Sequence, residues 1–144
     1  MKTLALAILL GSTPASAAPP PCPAAVTTAI DKRFPKATVQ VCKAEREDGH
    51  DQFEVKLTKA DGGKVEVDVS PAGAILQTEE VVPLDQVPAA VMKAFAAKYP
   101  KATPSRAEKQ TPATGKPSYE LAFQVDGKRK EATFAEDGAF VEEE

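Results

Sequence analysis

The sequence predicts an α+β protein made of two tandem repeats, each a helix followed by an antiparallel sheet. One observation behind this prediction is a series of matches between the two halves of the chain, separated by about 65 residues. The other is a change in apolar periodicity, from every fourth residue in helix-like segments to every second residue in strand-like segments. An exported N-terminus completes the prediction.

The matching residues occur in the same order in both halves. The sequence PAAV at 23–26 recurs at 88–91, and FPKAT at 34–38 recurs as YPKAT at 99–103. The later matches pair 53–57 with 119–123, 61–62 with 126–127 and 73–75 with 138–140. This conserved order predicts an internal duplication.

The first 17 residues predict a secretory signal peptide. Lys2 gives a positive charge, Leu4 to Leu10 form a short apolar run, and Ala15-Ser16-Ala17 is a small-residue cleavage site. The apolar run is far shorter than the roughly 20 residues of a membrane-spanning helix. We therefore expect a periplasmic or secreted protein with no membrane span.

One amphipathic helix is predicted at the start of each repeat. Its apolar stripe consists of Val26, Ile30 and Phe34 in the first repeat and of Val91, Phe95 and Tyr99 in the second. Pro35 and Pro100 end the helices, because the residue before a proline is disfavoured in the α conformation. Asp85 is the expected N-cap of the second helix.

Strands follow each helix. Extended segments are expected at 37–45 and 102–109, and Pro104 favours an edge position for the second of them. Alternation then predicts strands through Phe53 and Val65, with further strands at 74–79 and 139–143. The outward positions are charged or polar: Glu54, Lys56, Lys64, Glu66, Asp68, Glu120, Gln124, Arg129 and Glu131.

Burial of the apolar strand faces requires each helix to cover its sheet. The first repeat is placed at 18–82 and the second at 83–144, joined through Glu79 to Leu84. A single repeat of this size would be marginally stable alone. Two arrangements are therefore open: the copies share a continuous sheet, or they pack against each other.

Cys22 and Cys42 are an even pair in an exported chain, which predicts a structural disulfide. The bridge would join the start of the first helix to the following strand. A reactive thiol is the competing interpretation, but no nearby histidine or lysine constellation supports it.

The composition argues against several functional classes. The net charge is −3 and no basic stripe is present, so nucleic acid is not an expected partner. The chain has one histidine, His50, and no glycine-rich phosphate-binding motif. We therefore expect no catalytic residues, no cofactor site and no enzymatic activity.

The segment from Val87 through Pro88 and Val91 to Phe95, continued by YPKA at 99–102, resembles the helix-to-strand signature of PepSY-like domains. YEL at 119–121 and Asp137-Gly138 extend this resemblance into the strands. The family is described as similar in fold to the beta-lactamase inhibitory protein. The resemblance implies an exported binding module that inhibits or restrains a secreted hydrolase of the protease or beta-lactamase class, with a protein partner of unknown identity.

The segment from Glu45 to Gln52 is the candidate binding loop, with Asp48, His50 and Asp51 as its candidate contact residues. It differs from its counterpart, Lys109 to Ser118, which indicates either specialised contacts or relaxed constraint. The alternative function is binding of a small ligand or a metal ion by the carboxylates of this loop. A passive envelope protein without a tight partner is a third alternative.

Overall fold

The computed structural model describes residues 22–47 and 49–144, so the predicted signal peptide at 1–17 lies outside the described residues. The first half contains α1 (Ala24–Arg33), β1 (Thr38–Glu47), β2 (His50–Thr58), β3 (Lys64–Val69) and β4 (Ile75–Val82). A short 3₁₀ helix, Leu84–Gln86, leads into the second half. There follow α2 (Ala89–Lys98), β5 (Arg106–Pro112), β6 (Ser118–Val125), β7 (Lys128–Ala135) and β8 (Phe140–Glu143).

All the strands belong to one eight-stranded antiparallel sheet whose order in space is their order in the chain. Strands β4 and β5 join the two halves, with a register that runs from Gln77 opposite Pro112 to Val82 opposite Ala107. Of the two arrangements left open by the sequence, the structure has the continuous sheet. Each half contributes one helix and then four strands, in the same order.

Both helices lie on the same side of the sheet, and each covers the strands of its own half. Val26 and Ile30 of α1 are fully buried against β2 and β3, in a cluster that also contains Phe34, Val55, Leu57, Val65, Val67 and Val69. The equivalent cluster under α2 contains Val87, Val91, Phe95, Ala107, Tyr119, Leu121, Phe123, Ala132 and Phe134. The predicted apolar stripes therefore form the two cores.

Aromatic rings fill more of the second core than of the first, where Phe34 is buried and Phe53 packs against the cluster. The Phe95 ring lies 5.0 Å from the Phe123 ring, edge to face, and 5.2 Å from the Tyr99 ring. Such pairs stabilise a core beyond the apolar area that they bury. In the first half, Ile30, Leu57 and Val69 occupy the positions equivalent to Phe95, Phe123 and Phe134.

Both helices begin directly after a proline. The carbonyl oxygens of Pro23 and Pro88 accept the first helical hydrogen bonds, from the amides of Thr27 and Met92. The prediction that Asp85 caps α2 is wrong, because Asp85 lies in the 3₁₀ helix and α2 starts four residues later. Neither helix of the described residues is long and apolar enough to cross a membrane.

The predicted edge position of the strand after α2 is also wrong. Strand β5 lies inside the sheet, hydrogen-bonded to β4 on one side and to β6 on the other. Pro104 is compatible with this position because it precedes the first residue of β5, Arg106, so its missing N–H falls outside the ladder. The predicted connection from Glu79 to Leu84 is largely strand, because β4 continues to Val82.

Cys22 and Cys42 form a disulfide, with Cα atoms 5.6 Å apart. The bridge attaches β1, an outer strand of the sheet, to Cys22, two residues before the start of α1. At the equivalent positions of the second half, Val87 and Ala107 are buried in the core. There β5 is held by β4 and β6 instead, so the disulfide occurs in the half whose first strand, among the residues that the structure describes, has a neighbour on one side only.

Candidate functional site: the open face of the sheet

The segment predicted as a polar loop around His50 is mostly strand. β1 continues to Glu47 and β2 begins at His50, and these two residues pair at the end of the hairpin. The hairpin turn contains Gly49 at φ 82°, a conformation that favours glycine. The expectation of a loop from Glu45 to Gln52 was therefore wrong, because the ladder between β1 and β2 extends almost to the turn.

The candidate contact residues of this hairpin occupy different positions. His50 and Asp51 are both exposed and adjacent on β2, so they point to opposite faces of the sheet. Arg46 lies 3.4 Å from the Asp51 carboxylate and donates a hydrogen bond to the Gly49 carbonyl oxygen. Asp48 lies outside the described residues. A binding role for this hairpin stays a prediction.

A metal site is not assembled from the side chains of the described residues. In residues 22–47 and 49–144, no group of three or more histidine, cysteine, aspartate or glutamate side chains has an arrangement that could hold a metal ion. Asp51 already faces the Arg46 guanidinium.

The side of the sheet opposite the helices, which we call the open face, is covered by neither helix of the described residues. Its central side chains are mostly carboxylates and amides, and most of them are partly buried by their neighbours. They are Glu54, Lys56, Glu66, Asp68, Gln77, Glu79, Glu108, Gln110, Glu120 and Glu131. The open face spans both halves of the chain, whereas the candidate binding segment, Glu45 to Gln52, lies within the first half.

Two shallow depressions lie on the open face and share Glu66 and Glu79. The first runs across the junction of the two halves and is lined by Lys56, Glu66, Glu79, Arg106, Glu108, Glu120 and Glu131, among others. The second lies beside the β1–β2 hairpin and is lined by Glu45, Arg46, Glu47, Glu54, Asp68 and Gln77 together with the shared pair. The depressions therefore form a continuous acidic surface.

Two basic residues of the open face, Lys56 and Arg106, are already paired with part of this acidic charge. The Lys56 ammonium lies 2.9 Å from Glu66 and 3.4 Å from Glu54. Arg106 forms an ion pair with Glu108, in the same depression. Glu79 and Glu120 instead accept hydrogen bonds from amide side chains, and so keep their negative charge uncompensated by a cation.

Gln52 organises the acidic end of the surface next to the hairpin. Its side chain is buried, and its amide nitrogen donates hydrogen bonds to Glu45 at 3.0 Å and to Glu47 at 2.7 Å. A buried amide needs such partners, because an unsatisfied donor costs free energy. The two glutamates are thereby held on the same side of the sheet as Asp68.

Crowding of carboxylates alters the protonation of the open face. The pKa of Asp68 is raised to about 7, mainly by partial burial and then by the negative charges of Glu47, Glu79, Glu45 and Glu66 in that order. An aspartate in this setting resists ionisation because both desolvation and neighbouring anions disfavour the charged form.

The second half contains an equivalent group. Burial raises the pKa of Glu120 to about 7, with further contributions from the negative charges of Glu131, Glu108 and Glu79. Burial likewise raises the pKa of Glu79, which lies between the two groups and contributes to both. Protonation on one part of the surface is therefore linked electrostatically to the other part.

The open face carries none of the chain's aromatic rings. The six phenylalanines and two tyrosines lie within the described residues, in α2, directly after a helix, or on the helix-covered side of the strands. Tight protein interfaces usually use aromatic anchors, and this surface offers charge instead. Charge complementarity is thus the main recognition chemistry available here.

The sequence identified part of this surface in advance. The outward orientation predicted for Glu54, Glu66, Asp68 and Glu120 is confirmed. The residues on either side of each of them point to the face of the sheet that the helices cover. Glu79 and Glu108 were missed because Glu79 was expected where the 74–79 strand ends and the connection begins, and Glu108 in an edge strand. The alternation of Gln77, Glu79 and Val81 was the available signal.

Comparison with known proteins identifies the family. The sequence model described as "Putative beta-lactamase-inhibitor-like, PepSY-like" matches the chain twice, over residues 19–77 and 61–142. The chain belongs to this PepSY-like family. Together the two matches span nearly all of the described residues, and they agree with the resemblance seen in the sequence. No match was found among curated protein sequences.

Solved structures share the fold of this PepSY-like protein. A protein described as BLIP-like, from Bacteroides fragilis, superposes with a TM-score of 0.66 at 22% identity, covering 86% of this chain and 86% of that chain. A protein described as a "putative periplasmic" protein, from Bacteroides eggerthii, gives a TM-score of 0.70 at 18% identity, covering 85% of this chain and 88% of that chain. At these identities the likeness shows a common fold and nothing more specific.

Proposed function

We propose that this PepSY-like protein is an exported, non-enzymatic binding module whose open face contacts a basic surface on another exported protein. The observation that carries the proposal is the continuous acidic surface across the sheet, centred on Glu79, Glu108 and Glu120. Crowded, partly buried carboxylates destabilise the folded protein when they are ionised, and their raised pKa values reflect this cost. A complementary partner would relieve that repulsion.

A basic partner would change the energetics of this surface in two ways. Lysine or arginine side chains placed between the carboxylates would stabilise the charged forms of Asp68 and Glu120, whose pKa values are raised in the free protein. They would also accelerate association through long-range attraction, which weakens as salt concentration increases. Strong salt dependence of association is therefore the expected signature.

Export is supported by the predicted signal peptide and by the fold shared with a protein described as periplasmic. Inhibition or restraint of a secreted hydrolase is supported by the family description and by the fold shared with a BLIP-like protein. The open face lacks the aromatic side chains that anchor many tight inhibitors. We therefore expect charge to dominate recognition of this hydrolase.

We also infer that residues 18–82 and 83–144 are copies of one ancestral repeat. The common element order and the two family matches support this inference. Isolated residues 83–144 should not form a stable monomer, because β5 would lose the pairing with β4 that holds it on one side. A cooperative denaturation transition of that fragment as a monomer would contradict the expectation that the second half depends on the first for its stability.

The test of the binding function begins with cross-linked capture of partners from the native envelope fraction by the mature, tagged protein. The captured protein is then purified, and its affinity for the wild type is compared with that for Glu79→Gln/Glu108→Gln/Glu120→Gln. We expect this triple variant to bind at least about tenfold more weakly, because it lacks three central charges. If the partner is a hydrolase, its activity should fall when the wild-type protein is added.

The matched control is Asp31→Asn/Asp85→Asn/Glu136→Gln, which removes three exposed charges away from the open face. It changes the net charge equally and should bind like the wild type. Equal binding by both triple variants would refute the open face as the binding surface. Binding that is unaffected by salt would refute its electrostatic character.

A further inference from the structure

Strand β1 presents an unused hydrogen-bonding edge. It is ten residues long and pairs with β2 on one side, while no strand of the described residues pairs with its other side. Val39 and Val41 are 44% and 37% exposed along it. An edge of this length is a template for another strand, because its outward N–H and C=O groups are available to pair.

The second half shows that such an edge accepts a partner. β5 occupies the position of β1 in its own half, and its corresponding edge pairs with six residues of β4. The residues of β5 in this ladder, Ala107–Pro112, correspond to Cys42–Glu47 of β1 at the repeat spacing. The segment of β1 that is left open is therefore the segment that receives a strand in the other half.

We propose that two copies of this chain associate through antiparallel pairing of their β1 strands, about a two-fold axis at Ala44. This places Lys43 of one copy opposite Glu45 of the other, twice, and Val41 opposite Glu47. An axis normal to the sheet keeps both open faces on the same side, because paired residues then point to the same face. The two sheets become one sheet of sixteen strands.

Charge selects this register over its neighbours. The pairing register of the two β1 strands can shift only in steps of two residues. A shift of one residue would place side chains that point to opposite faces of the sheet next to each other. An axis at Lys43 would put two lysines opposite each other. An axis at Glu45 would pair Lys43 with Glu47 twice but would also put two glutamates opposite each other, whereas the axis at Ala44 has two opposite-charge pairs and no like-charge pair. Like charges directly across a strand pair are destabilising, whereas opposite charges are stabilising.

Charge also disfavours pairing of β1 with β8 of another copy. If β8 met β1 in the register that β4 adopts with β5, Glu142 would face Glu47 and Glu144 would face Glu45. Two like-charge pairs would then oppose a single favourable pair, Glu143 with Arg46. Assembly is thereby directed to a closed dimer rather than to an open filament.

Two features fix the geometry of the pairing segment. The disulfide ties Cys42 to the start of α1, which preorganises the strand. An irregularity in the ladder between Val39 and Val41 confines regular pairing to the residues from Val41 to Glu47. The interface is therefore short, and we expect a weak dimer that forms at high protein concentration.

The test is sedimentation equilibrium of the mature, oxidised protein without any partner, over a concentration range of about 10 µM to 1 mM, where weak dimers are resolved. The wild type should show a monomer–dimer equilibrium. Lys43→Glu should raise the dimer dissociation constant by about tenfold or more, because it creates two pairs of like charge. The exchange variant Lys43→Glu/Glu45→Lys should restore dimerisation.

Lys101→Glu is the control, since it makes the same charge change at an exposed position outside β1. Circular dichroism confirms that each variant is folded. A wild type that is monomeric throughout the range overturns the proposal. So does a dimer that Lys43→Glu leaves intact, or an exchange variant that is folded but remains monomeric. The assay contains no partner, so its outcome is independent of the proposed function.

Discussion

Gly73 lies against the backbone of α1, so closely that a Cβ atom built on it would be 2.7 Å from the carbonyl oxygen of Ala25. Gly138 has the same relationship with Ala90 in the second half, also at 2.7 Å. Both glycines have positive φ angles, 85° and 90°, in the turns that precede β4 and β8. Each turn therefore packs directly on the first turn of a helix.

Gly73→Ala should destabilise the protein by about 3 kcal/mol or more, because the left-handed conformation and the backbone clash both oppose a Cβ. Gly62→Ala is the control, since Gly62 has a φ of 90° but no atom within 4 Å of a built Cβ. It should cost only about 1–2 kcal/mol. Urea denaturation measures both values, and equal losses would show that the contact with Ala25 is unimportant.

Removal of the disulfide should lower the free energy of unfolding by about 3 kcal/mol, because the loop between Cys22 and Cys42 no longer restricts the unfolded chain. Cys22→Ser/Cys42→Ser, compared with the oxidised wild type by urea denaturation, gives the value. Cys22→Val/Cys42→Ala installs the residues of the second half, Val87 and Ala107, and should recover part of the loss. A serine variant as stable as the wild type would contradict the stabilising role of the bridge.

Stability should decrease as the pH rises from about 5 to 8. Burial raises the pKa of Asp68 and of Glu120 to about 7, so the folded protein binds protons more tightly than the unfolded chain over this range. The midpoint of thermal unfolding should fall by roughly 3–6 °C between these pH values. The lowered pKa values of Asp61 and Glu143 act below this range, where their stabilising effect is lost on acidification.

Asp68→Asn/Glu120→Gln provides the check on that assignment. The variant should be more stable than the wild type at pH 8 and should unfold at nearly the same temperature at pH 5 and pH 8. Calorimetric scans at the two pH values measure both effects. An unchanged pH dependence would show that other groups control it.

Phe95→Ala should destabilise the protein by about 3–5 kcal/mol, because the ring is buried and contacts the rings of Tyr99 and Phe123. Phe140→Ala is the comparison, since its side chain is 44% exposed at the end of the sheet. It should cost about 1 kcal/mol. Similar losses in the two variants, measured by urea denaturation, would contradict the central position of Phe95 in the second core.

Local sequence patterns predicted the helices and strands of this fold well, but they predicted less well which elements lie next to each other in space. The spacing of Val26 and Ile30, or of Val91 and Phe95, is a property of one helix and its buried stripe, so it can be read directly from the chain. The error at Asp85 arose because a capping side chain is also compatible with a short 3₁₀ helix. The prediction that β5 lies at an edge was wrong because the preference of proline for edge strands applies to a proline within a strand, and Pro104 precedes β5.

The candidate site divides in the same way. Alternation along β2, β3 and β6 identified Glu54, Asp68 and Glu120 as outward residues. The segment containing Asp48, His50 and Asp51 was predicted as a binding loop because it is polar and differs between the halves. The acidic surface depends on Glu79 and Glu108, which adjoin the others only because β4 and β5 pair across the junction. Such pairing is a long-range property of the folded chain.

The sequence by itself determined the two helices, the period-two strands, the order of matching segments and the family signature, because each depends on residues close together in the chain. Tertiary structure decided that the halves share one sheet, that β5 is internal while β1 is the outer strand of the sheet in the described part of the chain, and that the carboxylates of both halves converge on one face. These features depend on strand neighbours and register, which hydrogen bonding between distant segments establishes. The raised pKa values follow from that convergence, because desolvation and repulsion act only between groups that folding brings together.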